Sequence, residues 1–225
     1  MVAALGSEET RGGEVGRVPI TIAVLFLAFA SLPIVAVAQP NLDAGEKIYD
    51  ICAGCHGFLA EGNELVGAPR LSGLEPWYLS RQMRNFSAGI RGSAPGDVHG
   101  QRMAAMAGAV NGDRALEDLI AYIGTLPDAR PAPTVVGDTA TGRTQYGACA
   151  ACHGLGGEGN EALSAPGLLA LDDWYVADQL RLFAESLRGT HAQDVYGQQM
   201  RAVAGAFRDE QPRSDLAAYI NTLGR

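Results

Sequence analysis

Two five-residue stretches, Cys52-Ala53-Gly54-Cys55-His56 and Cys149-Ala150-Ala151-Cys152-His153, lie 97 positions apart. Laid over one another at that offset without a gap, residues 42–126 and 139–223 agree at 38 of 85 positions. The chain is therefore a tandem duplication, and every feature of the unit is stated twice. A unit this small buries too little of its unfolded surface to rest on an apolar core alone, and usually carries a staple. Whatever the unit folds into must be built twice, around that staple.

The duplication also marks the boundaries. Residues 39–127 hold the first copy and 139–225 the second. Residues 128–138 between them follow Pro127 and include Pro131 and Pro133, a stiff linker with little capacity for regular structure. Within each copy the apolar spacing is helical. Leu79, Met83, Phe86 and Ile90 step by 4, 3 and 4, and Val176, Leu180, Phe183 and Leu187 step identically. A closing helix carries Leu116, Leu119, Ile120 and Ile123, matched by Leu216, Ala217 and Ile220. Short helices over 43–51 and 141–148 lead into the cysteine motifs. The glycine-rich stretches 57–73 and 154–167 read as loops wrapped around something bulky. No strand pattern is present, so the expected fold is all-α.

On a helix, residues i and i+3 share a face. Cys52 and Cys55, like Cys149 and Cys152, can thus form thioethers with two neighbouring vinyl groups of one porphyrin. His56 and His153 then lie under the iron as proximal ligands. This spacing is the attachment signature of c-type haem. Other readings explain less. The halves of a four-cysteine zinc site would sit in separate units, and two local disulfides would leave both histidines unexplained. A thioredoxin-like pair needs a βαβ context that is absent.

Five methionines are present, and only Met103 and Met200 are equivalent at the 97-residue offset. A buried methionine is most often core filler. Two equivalent ones, each 47 residues past its histidine and each following an Asp-Val-x-Gly-Gln stretch, favour axial ligation. His99 and His191 are not equivalent, which makes surface or loop positions their default. Pro69 and Pro166 could set a carbonyl against the free N–H of each proximal histidine. Trp77-Tyr78 and Trp174-Tyr175 are expected to wall the haems with their polar tips towards the propionates. Arg91 and Arg188 suit either propionates or solvent. Tyr122 and Tyr219 read as core.

Charge narrows the partners. With 17 Lys+Arg against 25 Asp+Glu the net charge is −8, which excludes general nucleic-acid binding because phosphate contacts need a basic face. Lys47 is the only lysine, so docking through a ring of lysines is excluded too. The run from Val18 to Ala38 is nearly all apolar, follows Arg17, and ends in Ala36-Val37-Ala38, a small-x-small cleavage site. Residues 1–38 read as a secretory signal peptide, with an uncleaved anchor as the alternative.

These residues together resemble the tandem dihaem class I cytochromes c, most closely the cytochrome c(4) family. The first set is Cys52-Ala53-Gly54-Cys55-His56-Gly57, Glu61-Gly62-Asn63, Pro69, Trp77-Tyr78-Leu79, Gln82, Phe86, Arg91-Gly92 and Met103. Its repeat is Cys149-Ala150-Ala151-Cys152-His153-Gly154, Glu158-Gly159-Asn160, Pro166, Trp174-Tyr175, Gln179, Phe183, Arg188-Gly189 and Met200. The resemblance implies two small helical domains, each a few short helices around one covalently bound haem c, facing each other in the bacterial periplasm. It further implies a one-electron carrier, loosely membrane-associated, between a membrane cytochrome complex and a terminal oxidase or reductase. The Asp-Val-x-Gly-Gln pattern and the tryptophans depart from that family and leave room for a relative, the dihaem electron-accepting subunit of a periplasmic dehydrogenase such as a flavocytochrome sulfide dehydrogenase. A dihaem peroxidase needs an open iron, against which the paired Met103 and Met200 argue. Unequal potentials are expected, because His99, Arg102 and Met106 in the first copy are Tyr196, Gln199 and Val203 in the second.

Overall fold

The structure is a computed structural model that describes residues 39–224. The expected signal peptide, residues 1–38, lies outside the described residues. The first repeat folds as α1 (Leu42–His56), α2 (Pro76–Ser87), α3 (Val98–Ala107) and α4 (Gly112–Ile123). The second repeats the order as α5 (Thr139–His153), α6 (Asp173–Ala184), α7 (Val195–Ala204) and α8 (Glu210–Thr222). Among the described residues there is no strand, only the isolated bridges Asn63–Ala68 and Asn160–Ala165 that pinch the two glycine-rich loops. No described helix is long and apolar enough to cross a membrane.

Four of the eight helices start where a side chain takes up an orphan amide. Asn41 and Asp138 accept from Ala44 and Ala140 at the starts of α1 and α5, and Asp97 and Asp194 accept from Gly100 and Gly197 at α3 and α7. The helices leading into the cysteine motifs run further than expected and carry all of Cys52–His56 and Cys149–His153 in their last turns. In the other direction, the expected face of α2 loses its last member. The helix stops at Ser87, the chain turns through positive φ at Gly89, and the amides of Ile90 and Arg91 both fold back to the Asn85 carbonyl. Leu187 leaves α6 in the same way through Ser186.

The first and last helices of each repeat pack together, α1 on α4 and α5 on α8, and the approach is close. A Cβ on Gly45 would stand 2.1 Å from the Asp118 carbonyl oxygen, and one on Gly142 2.0 Å from that of Asp215. The same two aspartates bind back: Asp118 accepts the Asn41 amide at 2.7 Å and Asp215 the Asp138 amide at 2.8 Å. Beside each crossing a tyrosine pair packs, Tyr49 with Tyr122 and Tyr146 with Tyr219. The apolar core of each repeat, centred on Leu119 and Ile123 or on Leu216 and Ile220, lies against the same crossing. Residues 128–138 form no helix or strand. The buried Asp173 carboxylate holds them to the second repeat by accepting from the amides of Thr134 and Val135 and from the Thr134 hydroxyl.

The crossing yields a direct test. Gly142→Ala forces the helices apart and is expected to lower stability by about 1–3 kcal/mol in denaturant unfolding. Gly147→Ala, on the same helix with open space around it, is expected to be neutral or slightly stabilising by helix propensity.

Candidate functional site

The site begins at a helix end. In its last turn α1 presents Cys52, Cys55 and His56 and stops at Gly57, whose φ is +81°. A hydrogen bond from the Tyr49 hydroxyl to the Gly57 carbonyl, at 2.6 Å, fixes that exit. The chain then loops back so that the Pro69 carbonyl meets Nδ1 of His56 at 2.7 Å. The second repeat places Tyr146 on Gly154 and the Pro166 carbonyl 2.8 Å from His153 Nδ1. A carbonyl only accepts, so Nδ1 carries the proton in both rings and Nε2 is left with its lone pair. Burial pushes both histidine pKa values down, against the opposing pull of the carbonyls. The ring is therefore held neutral, as a metal ligand must be. The proline carbonyls stand where the sequence placed them.

Each histidine is 6% exposed and opens into a cavity. Cys52, Cys55, His56 and Met103 line the first cavity, and Cys149, Cys152, His153 and Met200 line the second. All four cysteines are free of disulfides. The two methionines arrive on α3 and α7, the third helix of each repeat, 47 residues past the histidine. Leu79, Phe86 and Ile123 complete the apolar wall of one cavity, and Val176, Phe183 and Ile220 that of the other. The eight residues singled out from the sequence are thus brought together four and four.

The cavities meet. Tyr78, Gln82, Tyr175 and Gln179 line both of them. Between them Arg91 donates to Gln82 in its own repeat at 2.7 Å, and across the junction to Tyr175 at 2.9 Å and Gln179 at 3.0 Å. Arg188 mirrors it, donating to Gln179 and, at 3.1 Å across the junction, to Gln82. Each guanidinium also stacks over a ring, Phe86 or Phe183, at 4.5 Å. Both arginines are buried, at 7% and 9% exposure, which overturns the solvent reading. Among the described residues no carboxylate hydrogen-bonds either one, and the Nε atom of each lacks a partner. Burial alone would push the Tyr78 hydroxyl pKa up, yet the Arg188 and Arg91 charges win and hold it down. Two buried cations with neutral partners call for an anion. The carboxylates of a porphyrin supply one, so the donor sets, the apolar walls and this positive junction all fit a haem in each cavity.

Two expectations need correction or refinement. The tryptophans do not line the cavities; the neighbouring tyrosines do. Trp77 instead lies under the Arg81 guanidinium at 4.8 Å, and Trp174 packs on the outside of the second core. The reason is the pitch of α2 and α6: adjacent residues diverge by a large angle, and the inward direction falls on Tyr78 and Tyr175. His99 is exposed as expected, but its ring covers Gly67 at the rim of the first cavity. His191 sits in the loop before α7 and accepts the Gln193 amide. Sequence reasoning gave no role to Gln82 and Gln179, although their equivalence in the repeat was the available signal. The unequal rim is present as expected: Arg102 and Met106 border the first cavity where Gln199 and Val203 border the second.

Comparison with known proteins agrees with this geometry. The family model for cytochrome c matches residues 42–127 and again 139–224. Cytochrome c4 of Azotobacter vinelandii is 31% identical over 199 residues, covering 84% of this chain and 91% of that protein. The thiosulfate dehydrogenase electron acceptor of Stutzerimonas stutzeri (strain A1501) is 29% identical over 83% of this chain and 89% of its own length. The crystal structure of reduced recombinant cytochrome c4 from Pseudomonas stutzeri superposes with a TM-score of 0.63 at 26% identity, over 82% of this chain and all of that one.

The junction predicts a non-conservative Arg-to-Lys change. Arg91→Gln is expected to cost about 2–3 kcal/mol of stability through its lost charge-assisted bonds. Arg91→Lys should not restore it, because one ammonium cannot reproduce the planar fork that reaches Gln82, Tyr175 and Gln179 together. Denaturant unfolding of the holoprotein, followed by circular dichroism, reads both.

Proposed function

The chain belongs to the cytochrome c family, as a tandem dihaem electron carrier of the cytochrome c4 kind with two covalent haem c groups, and on that premise we propose how it is loaded and whom it serves. Residues 39–127 and 139–225 are its two haem domains. Cys52 and Cys55 tether one haem by thioethers, with His56 and Met103 as its iron ligands; Cys149, Cys152, His153 and Met200 serve the other. The observation that carries this reading is the lining of one cavity by a histidine with a freed Nε2 and a methionine from the third helix of the same unit, twice over.

When bound, haem c supplies one-electron exchange between ferrous and ferric iron. The residues decide how that exchange is used. Held by a histidine and a thioether, the iron would offer no open position to a substrate, and the protein would serve as a carrier rather than an enzyme. The thioether favours the reduced state over a second imidazole. The apolar walls would limit water, and Arg91 and Arg188 would neutralise the carboxylates of a bound haem. Residues 1–38 act as the export signal, and the carrier works in the bacterial periplasm, loosely associated with the membrane. It takes electrons from a membrane cytochrome complex and passes them towards a terminal oxidase or reductase. The acidic chain steers it to basic docking faces and away from nucleic acid.

A second reading has its own support. Similarity to a thiosulfate dehydrogenase electron acceptor favours service as the electron-accepting partner of a periplasmic dehydrogenase that oxidises an inorganic sulfur compound. It is the same kind of role as the one the family resemblance implied, with a flavocytochrome sulfide dehydrogenase as that resemblance's example of the partner.

Met103→His is expected to lower the potential of one haem and leave the other within about 20 mV, with Met200→His doing the reverse, in a spectroscopic redox titration. Unchanged potentials in both variants would remove the methionines from the iron. Stopped-flow mixing then separates the partners: rapid reduction by a thiosulfate dehydrogenase with its substrate supports the second reading, and rapid oxidation by oxidase-containing membranes supports the first.

A further inference from the structure

Glu75 and Asp172 are equivalent in the repeat, and each is the N-cap residue of the helix that follows, α2 or α6. A carboxylate at that position ordinarily accepts an amide of its own helix. Neither of these does. Each reaches into the other repeat instead: Asp172 Oδ2 accepts the Arg70 amide at 2.9 Å, and Glu75 Oε1 accepts the Gly167 amide at 2.7 Å. Both contacts are tightly enclosed. A Cβ on Gly62 would stand 3.1 Å from Asp172 Oδ2, and one on Gly167 2.8 Å from Glu75 Oε1. Asp172 is only 8% exposed.

The receiving amides are specific ones. Arg70 follows Pro69, and Gly167 follows Pro166. The N–H held by each carboxylate and the C=O that receives the histidine Nδ1 proton are therefore the two ends of one peptide group. The result is a continuous chain, carboxylate to N–H, peptide, C=O to H–Nδ1, that begins in one repeat and ends on the histidine of the other.

We infer that Asp172 is a positioning residue for the iron held by His56, and Glu75 for the iron held by His153, each acting across the junction through that peptide. The inference rests on His56 and His153 as iron ligands. A carboxylate pulling on the N–H moves electron density towards the carbonyl oxygen, and hydrogen bonds in series strengthen one another. The carbonyl then draws harder on the Nδ1 proton, gives the ring more imidazolate character and makes Nε2 a stronger donor. A stronger donor favours ferric iron and lowers the potential. Each repeat thereby sets part of the other's redox poise.

The test is NMR-monitored redox titration of the dihaem protein, which resolves the two haems, together with the Nδ1 proton shifts in the reduced state. Asp172→Asn keeps the shape and an accepting oxygen but loses the charge. The His56 Nδ1 proton should move upfield, and the reduced-to-oxidised ratio of that haem at fixed ambient potential should rise roughly three- to tenfold, tenfold being about 59 mV for one electron. The His153 haem should stay put. Glu75→Gln should do the converse, and decides the matter by itself if Asp172→Asn does not fold. Glu64→Gln removes a charge close to Asp172 without touching the peptide, and should leave the His56 proton in place. The inference is overturned if Asp172→Asn shifts both haems alike, or if Glu64→Gln reproduces its effect with no movement of the Nδ1 proton. Failure of histidine ligation itself is a different result: it shows in the parent protein as missing ring-current-shifted ligand signals.

Discussion

The hydrogen bond from each histidine Nδ1 to a proline carbonyl organises everything around it. It needs the helix to end one residue later at a glycine with positive φ, and it needs the loop to double back on itself. The bridges Asn63–Ala68 and Asn160–Ala165 and the bonds from Gly62 and Gly159 to the histidine carbonyls make that return. The bond is worth little as stability, on the order of 1 kcal/mol. Its value lies in choosing the tautomer and freezing the ring, so that a lone pair faces the cavity with no reorganisation at each electron transfer.

The same bond explains why the repeats function as a pair. Each carbonyl belongs to a peptide whose other end is held by the opposite repeat, and each buried guanidinium finds part of its hydrogen bonding there too. Arg91 needs Tyr175 and Gln179, and Arg188 needs Gln82. A single repeat cut from its partner leaves a half-satisfied buried cation, among the more costly defects available to a small domain. The duplication therefore yields two adjoining cavities that share one junction. Differences at the rims, Met106 against Val203 or Arg102 against Gln199, are free to separate the two potentials because the shared junction is nearly symmetric.

Much of this was legible in the sequence because the unit is written twice. Equivalence at one offset selected Met103 and Met200 from five methionines, placed Pro69 and Pro166, and set the order of helices. What escaped had physical causes. Apolar spacing carried the α2 face to Ile90, since periodicity does not see the positive-φ turn at Gly89 that ends the helix. Trp77 and Tyr78 were expected to wall the cavity together, whereas helix phase turns only Tyr78 inward. The burial of Arg91 and Arg188 depends on a surface belonging to the other copy, which no single unit displays. Glu75 and Asp172 were passed over because they differ in length and read as ordinary helix starts; only the long-range bonds to Arg70 and Gly167 distinguish them.

The most direct test of two histidine–methionine haems is the absorption spectrum of the fully reduced protein before and after addition of carbon monoxide. If His56 with Met103 and His153 with Met200 hold the two irons, the spectrum is unchanged. A carbon monoxide complex at either haem would contradict ligation by Met103 or Met200 and would open an iron site to catalysis.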